Sequence, residues 1–212
     1  MANEGEPSGH LEYDDIAWQK LDVCDLWVYD KLILSKTLGH VCGPAGVNLP
    51  HPGIWVVKPI TNILGMGLGA RYQMFDTIDT SLLEPGMFWM EMFDGTHLSV
   101  DLNHGVTEVI YEGIRESPDR FSKWTLRNME IDHPQFITDL SIKYGRVNYE
   151  MIGGKIIEVH VRGNPDWLKY RAKELIPVWK DSIIPDKNFI LDEDGDRLGF
   201  IVDDYNNHGD FD

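Results

Sequence analysis

Cysteine is nearly missing from the sequence: Cys24 and Cys42 are the only two in 212 residues. Two such thiols build neither a disulfide framework nor a metal-ligand cluster. Basic residues are also scarce, 19 Lys and Arg against 35 Asp and Glu, giving a formal net charge of −16. So acidic a chain repels nucleic acid, whose affinity comes largely from Lys and Arg neutralising phosphates, and free DNA or RNA is not an expected partner. No apolar run approaches the roughly 20 residues that cross a bilayer, so no membrane partner is expected. No charged n-region followed by an apolar h-region opens the chain. These absences predict a soluble protein of the reducing cytoplasm. Acidity does not exclude a phosphate ligand, because a few cations in a cleft act locally while the surface stays negative.

What is present is ordinary globular composition, 42% hydrophobic and 25% charged, enough for one sizeable core or two small lobes. Residues 1–15, acidic and carrying Gly, Pro and Ser, read as a disordered tail. From Ile16 to Leu38 apolar residues recur at helical spacing up to Gly39, a plausible C-cap, predicting one or two helices. The segment "HVCGPAGVNLPHPG" reads as turn and "IWVVKPI" as a buried strand. "MFWMEMF" and "THLSVDL" are split by Asp94-Gly95, a hairpin signal. "GVTEVIYEGI" is strand-like and "PQFITDLSIKYG" is a helix closing at Gly145. "RVNYEMIGGKIIEVHVRG" is a hairpin turning at Gly153-Gly154. "PDWLKYRAKELIPVWKD" reads as an amphipathic helix, and "FILDEDGDRLGFIVDD" as a third hairpin. There is no internal repeat. The expected class is α+β or mixed α/β, with boundaries at 16–90, 91–190 and a hairpin with acidic tail at 191–212.

Three stretches carry chemistry. In "GIWVVKPITNILGMGLGAR", Lys58 ends a buried strand, and Gly65, Gly67 and Gly69 let backbone N–H groups approach an anion. A Walker A loop would place the lysine after the glycines, and a dinucleotide fingerprint has different spacing. A flexible turn beside a snorkelling lysine fits the same residues. In "FWMEMFDGTHLSVDL" one acid, Glu91, sits on an apolar strand. It could face an adenine amine with the backbone around Phe93 on the base edge, or simply be an edge-facing acid. In "VNYEMIGGKIIEVHVRGNP", period-two alternation puts Glu158, His160 and Arg162 on one face, an arrangement costly in a core and sensible in a site. A two-residue Gly-Gly turn would pair Glu158 with Tyr149, whereas a three-residue loop with a bulge pairs it with Glu150. The bulged form is favoured, with Asn148 as the alternative helper. Carboxylates there suit Mg²⁺ completed by substrate phosphates.

These stretches, in this order, resemble the ATP-grasp superfamily over roughly residues 28–168. "YDKLILSKTLG" is similar to the family's Asp-Lys helix, "IWVVKP" to its second lysine strand, "GMGLGAR" to its glycine flap, "WMEMFDGTHLSVD" to its adenine hinge and "KIIEVHVRGNP" to its terminal Glu-x-Asn-x-Arg motif. The resemblance implies two lobes with antiparallel sheets sandwiching ATP. Lys31 and Lys58 would cradle its phosphates, Gly65, Gly67 and Gly69 would cover them, and Arg71 would sit at the flap's basic position. Glu91 and Phe93 would take the adenine and His97 the ribose. Glu150, Glu158 and His160 would bind Mg²⁺, and Arg162 would meet the transferring phosphoryl. The implied activity is an ATP-dependent ligase that makes an acylphosphate from a carboxylate and joins it to an amine or similar nucleophile, a peptide being one candidate acceptor. A catalytically impaired nucleotide-binding protein and an interaction protein without nucleotide are the rival readings. Two features depart from the family pattern. His160 stands where an Asn ligand is usual, and little chain precedes the Asp-Lys helix, which leaves an acceptor to be recognised by these lobes, by a partner or not at all. A homodimer is compatible with a short chain of this kind. The acids around Asp194 could suggest a Ca²⁺ loop, but Arg197 replaces the glycine expected at its sixth position, and an acidic hairpin turn is preferred. Trp124, Trp167 and Trp179 read as packing residues, and His51, His104 and His133 as solvated loop histidines.

Overall fold

The computed structural model describes residues 14–61, 69–117, 120–183 and 188–203. They form two antiparallel sheets with short helices, the α+β class expected. The chain opens with α1 (Asp14–Lys20), a 3-10 helix (Val23–Tyr29) and α2 (Lys31–Thr37). Asp30 caps α2 by accepting from the Ile33 amide at 2.8 Å, and Gly39 follows its end at φ +76°.

The smaller sheet has the order β1-β4-β2-β3, built from β1 (Cys42–Pro44), β2 (Gly53–Pro59), β3 (Arg71–Phe75) and β4 (Met87–Met90). Alternation along β2 sends Trp55 and Val57 into a core with Leu49, Phe75, Leu83 and Trp89. Val56 and Lys58 face the other way. The expected turn around Cys42 is therefore in part a strand, paired to β4 from Cys42↔Met90 to Pro44↔Phe88.

The larger sheet has eight strands in the order β11-β12-β10-β7-β6-β5-β8-β9. They are β5 (His97–Asn103), β6 (Val106–Ser117), β7 (Arg120–Leu126), β8 (Arg146–Ile152), β9 (Lys155–His160), β10 (Glu174–Trp179), β11 (Phe189–Asp194) and β12 (Arg197–Asp203). On its back face Val100, Leu102, Val147, Tyr149 and Val159 pack with Val28, Tyr29 and Leu34 of the first helices and with Ile137 and Leu140 of α3 (Gln135–Tyr144). As expected, α3 ends at Gly145, whose φ is +91°.

Three expectations about local structure are corrected. Asp94-Gly95 closes no hairpin, because β4 and β5 belong to different sheets and the segment between them crosses from one to the other. The helix expected from Pro165 to Asp181 stops early: α4 (Pro165–Tyr170) ends where Arg171 turns left-handed at φ +45°, and β10 follows. Pro177 is tolerated in that strand because β7 pairs with it only through Glu174 and Leu175. Finally, the β8–β9 turn is the two-residue Gly153-Gly154 form, yet the ladder steps from Met151↔Ile156 to Glu150↔Glu158. Ile157 is the extra residue of a bulge inside the strand, which gives the favoured Glu150–Glu158 pairing by a different route from the loop bulge. Among the described residues no helix is long and apolar enough to cross a membrane.

Candidate functional site

A crevice runs between the inner face of the smaller sheet and the front face of the larger one, lined by Val56, Lys58 and Met90 on one side and by Glu150, Glu158 and Arg162 on the other. Its two lysines come from different elements. The Lys31 amide donates to the carbonyl of Ile60 at 2.8 Å, which ties the start of α2 to the end of β2 just beyond Lys58. Both side chains are buried, at 5% and 7% exposure, and a buried ammonium needs anionic or carbonyl partners. Lys31 Nζ lies 2.7 Å from Glu158 Oε1. Lys58 Nζ donates to the carbonyl of Ile157 at 3.2 Å, the peptide oxygen of the bulged residue. Burial, and then the neighbouring Lys31 ammonium, pull the Lys58 pKa down to about 7.

The acidic side of the crevice is held from behind. His97 is buried beside Glu150, with Nε2 at 3.0 Å from Glu150 Oε2. Arg115 donates to the other ring nitrogen, Nδ1, at 2.8 Å. That nitrogen is therefore unprotonated, and Nε2 donates to the carboxylate. For Glu158, burial opposes ionisation, but Lys31 and His160 hold the carboxyl well below the usual range.

His160 joins two acids. Its Nδ1 is 2.9 Å from Asp14 Oδ1 and its Nε2 3.2 Å from Glu158 Oε1. Burial works against charging the ring, yet Asp14 prevails and the pKa rises to about 9. Arg162 donates to the other oxygen of Asp14 at 2.6 Å. Tyr29 donates its hydroxyl to Asp14 at 3.3 Å while accepting from the Val161 amide at 3.1 Å. Burial would raise the Asp14 carboxyl, but His160 and Arg162 bring it down to about 2.

The residues singled out from sequence divide accordingly. Lys31, Lys58, Glu91, Phe93, Glu150, Glu158, His160 and Arg162 all line the crevice. Arg71 does not: alternation along β3 turns Tyr72 to the crevice and leaves Arg71 on the opposite face, bonded to Glu84 at 2.9 Å and Gln73 at 3.1 Å. His97 stands beside Glu150 and lines the adjoining cleft, which shares Tyr72, Phe93 and Arg115 with the crevice. Glu91 accepts from the Val41 amide through Oε1 at 3.0 Å, and its Oε2 lies 3.9 Å from Lys155 Nζ. Beyond it, the amides of Met92 and Phe93 take no hydrogen-bond partner among the described residues. Gly65 and Gly67 lie outside the described residues. Gly69 has φ +81°. Asp14 was not foreseen, since it lies in the stretch read as tail and 146 residues separate it from His160.

The donor set suits Mg²⁺ in part. Glu150 and Glu158 offer carboxylate oxygens, and Asn148 Oδ1 is buried without a hydrogen-bond partner. Glu158 Oε1 makes close charge contacts but no aligned hydrogen bond. Hard oxygens with few protein ligands are what Mg²⁺ takes when phosphates complete its shell. Each ring nitrogen of His160 already faces an acid, Asp14 at 2.9 Å and Glu158 at 3.2 Å, so a metal on either nitrogen would have to displace that contact.

No protein-family model matches the sequence, and no curated protein matches it. Among solved structures, the chain is similar to a protein of Archaeoglobus fulgidus described as of the ATP-grasp superfamily, with 17% identity over 84% of this chain and 64% of that one, at TM-score 0.49. It is similar to L-amino acid ligase from Bacillus licheniformis, with 14% identity over 69% of this chain and 43% of that one, at TM-score 0.45. It is also similar to D-alanine–D-alanine ligase from Bacillus anthracis complexed with ATP, with 15% identity over 64% of this chain and 55% of that one, at TM-score 0.41. The chain thus spans between 43% and 64% of the length of these proteins.

Proposed function

We propose that this protein is an ATP-grasp ligase: it binds ATP with Mg²⁺ in the crevice, transfers the γ-phosphoryl group to a carboxylate, and passes the acyl group to an amine. The observation that carries the reading is the convergence of Lys31 and Lys58, from separate elements, on the paired acids Glu150 and Glu158. Two buried lysines facing paired carboxylates suit a triphosphate and its metal better than any apolar ligand.

In the first step a carboxylate oxygen bonds to the γ-phosphorus as the bond to the β–γ bridging oxygen breaks, and ADP leaves with that electron pair. The amine nitrogen then bonds to the acyl carbon, phosphate leaves, and the nitrogen gives up a proton. Phosphoryl transfer asks the protein for position and charge more than for covalent chemistry. Lys58 and Lys31 hold the phosphate oxygens, and Arg162 meets charge on the transferring group. Mg²⁺, when bound by Glu150 and Glu158, neutralises phosphate charge. The open amides of Met92 and Phe93 receive the adenine edge. The crevice lies in the cytoplasm on this reading, where ATP is abundant.

A nucleotide-binding protein without turnover is the second reading, favoured by His160 standing pinned between Asp14 and Glu158. A non-hydrolysable ATP analogue with Mg²⁺ should raise the melting temperature, since a ligand of the native state stabilises it by mass action. ADP release over a panel of carboxylates and amines then separates the two readings. Absence of any melting shift overturns both.

A further inference from the structure

The front face of the large sheet carries two chemistries. Over β8 and β9 it is ionic, with Glu150, Glu158 and His160. Over β7, β10 and β12 it is aromatic, and the same crevice continues along it past Phe121, Trp124, Trp167, Pro177, Trp179 and Phe200. Two connections join the halves. His97 donates to Glu150 on one side and meets the rings of Phe121 and Trp124 edge-on at 4.9 and 5.6 Å on the other. From Arg162 the chain runs through Asn164, which caps α4, to Trp167, whose indole donates to Ser99 at 3.0 Å. Asn148, beside Glu150 on β8, donates to that same hydroxyl at 2.9 Å.

We propose that this aromatic basin holds the body of the acceptor carboxylic acid, and that this body is aromatic or large and apolar. The inference rests on the ligase reading for the placement of the carboxylate beside Arg162. The basin's rings are packed against one another and give a stiff wall: Phe121 to Trp124 at 4.2 Å, Trp124 to Trp167 at 5.0 Å, and Tyr111 stacked on Trp167 at 4.2 Å. Trp179 is fixed by donating to the carbonyl of Phe121 at 3.2 Å. Stiff aromatic faces select flat or bulky apolar groups at little entropic cost.

Ion pairs at and near the basin are closed on themselves. Arg197, 5% exposed, is held by both oxygens of Asp166 at 2.7 and 3.1 Å, and Lys169 holds Asp192 at 2.8 Å. Arg115, on the same wall over the Phe121 ring at 4.9 Å, donates to His97 rather than to an acid, so the wall is apolar with one cation at its edge. Three arginine Nε atoms that border the crevice are buried without a hydrogen-bond partner, those of Arg115, Arg162 and Arg197, and among them Arg197 lies over the Phe200 ring of the basin at 4.2 Å. It supplies a single donor, suited to one oxygen at the far end of the ligand.

The test uses the full chain and four probes, 3-phenylpropanoate against propanoate and L-phenylalanine against L-alanine. Binding is read by tryptophan fluorescence and melting temperature, with and without a non-hydrolysable ATP analogue and Mg²⁺. Each phenyl acid should bind at least about tenfold tighter than its methyl counterpart, the ratio expected for burying a ring. Trp179→Ala should remove most of that preference, with the milder Phe121→Leu as the variant to use if Trp179→Ala does not fold. Equal affinity for phenyl and methyl acids, in protein that still responds to the analogue, overturns the basin assignment and leaves the nucleotide reading standing. A phenyl preference without any response to the analogue keeps the basin as an aromatic-acid site and ends the ligase reading. Loss of neither preference in the two variants overturns the assignment of the wall.

Discussion

Glu150 and Glu158 stand opposite each other across the β8–β9 ladder because Ile157 is extruded between them and the turn. Without the bulge Glu158 would face Tyr149, which points into the core behind the sheet. The same bulge leaves the Ile157 carbonyl to receive Lys58. One inserted residue thereby sets both an acid pair and a lysine.

Glu158→Gln tests that arrangement. The side chain is 12% exposed and faces Lys31, so neutralising it leaves a buried ammonium uncompensated and should cost about 3 kcal/mol in urea unfolding. On the ligase reading it also removes most of the Mg²⁺ dependence of the melting shift caused by a non-hydrolysable ATP analogue. A variant that keeps the full Mg²⁺ dependence rules Glu158 out as a metal ligand.

His160 makes stability depend on pH in a defined direction. Its pKa is 6.5 unperturbed and about 9 in the fold, so its contribution is complete below pH 6.5 and is lost as pH rises through 9. Asp14, moved from 3.8 to about 2, contributes above pH 3.8 and loses its part as pH falls through 2. Lys58 runs the other way: at about 7 instead of 10.5, it penalises the fold most below pH 7 and is relieved as pH rises. The comparison that isolates the histidine is wild type against His160→Gln. The stability gap between them should narrow by roughly 3 kcal/mol from about pH 6 to about pH 9. A gap that stays constant across that window means the ring is not charged in the fold.

Lys58 should take up a proton when nucleotide binds. Near pH 8 its amine is largely neutral in the free protein, with a pKa of about 7, and a triphosphate beside it favours the ammonium. Calorimetric titration of the ATP analogue in two buffers of different ionisation heat should show uptake of up to about one proton. Lys58→Met should abolish it. Uptake that persists in the variant assigns the proton elsewhere.

How much of this was legible follows from the range of each interaction. The strand of Lys58, the cap at Gly145 and the acidic hairpin at Gly195 rest on neighbours in sequence, and they stand in the structure. Asp94-Gly95 has the local chemistry of a hairpin turn, but whether two strands pair is settled by the sheets they join, and these two join different ones. Residues 165–181 have apolar spacing compatible with a helix, yet Leu175, Pro177 and Trp179 also alternate with period two, and the sheet takes them. His133, expected in solvent, is half-buried and bonded to Thr107 at 2.7 Å and to the Tyr149 hydroxyl at 2.9 Å. Asp14 was least legible of all. Its charged partners His160 and Arg162 lie 146 and 148 residues further on, and no local pattern marks an acid in the first helix as the anchor of Arg162.

Gly153 offers a test of how the two sheets are held relative to each other. It sits at φ +55° in the β8–β9 turn, and its amide donates to the Thr96 carbonyl at 2.9 Å, so the turn docks on the segment that crosses between the sheets. A Cβ at Gly153 would fall on the Asp94 carbonyl oxygen. Its neighbour Gly154, at φ +82°, has nothing within 4 Å of a built Cβ. Alanine at either position bears the left-handed strain, of order 1 kcal/mol, but only Gly153→Ala adds a backbone collision, bringing its cost to about 2–4 kcal/mol. The collision pushes on the segment whose Met92 and Phe93 amides receive the base on the proposed reading. Gly153→Ala should therefore weaken the ATP analogue more than it weakens tripolyphosphate, which lacks the base, while Gly154→Ala leaves the ratio of the two affinities unchanged. If both alanine variants lose the same stability and keep the same ratio, the contact between turn and crossing segment has no part in placing the adenine edge.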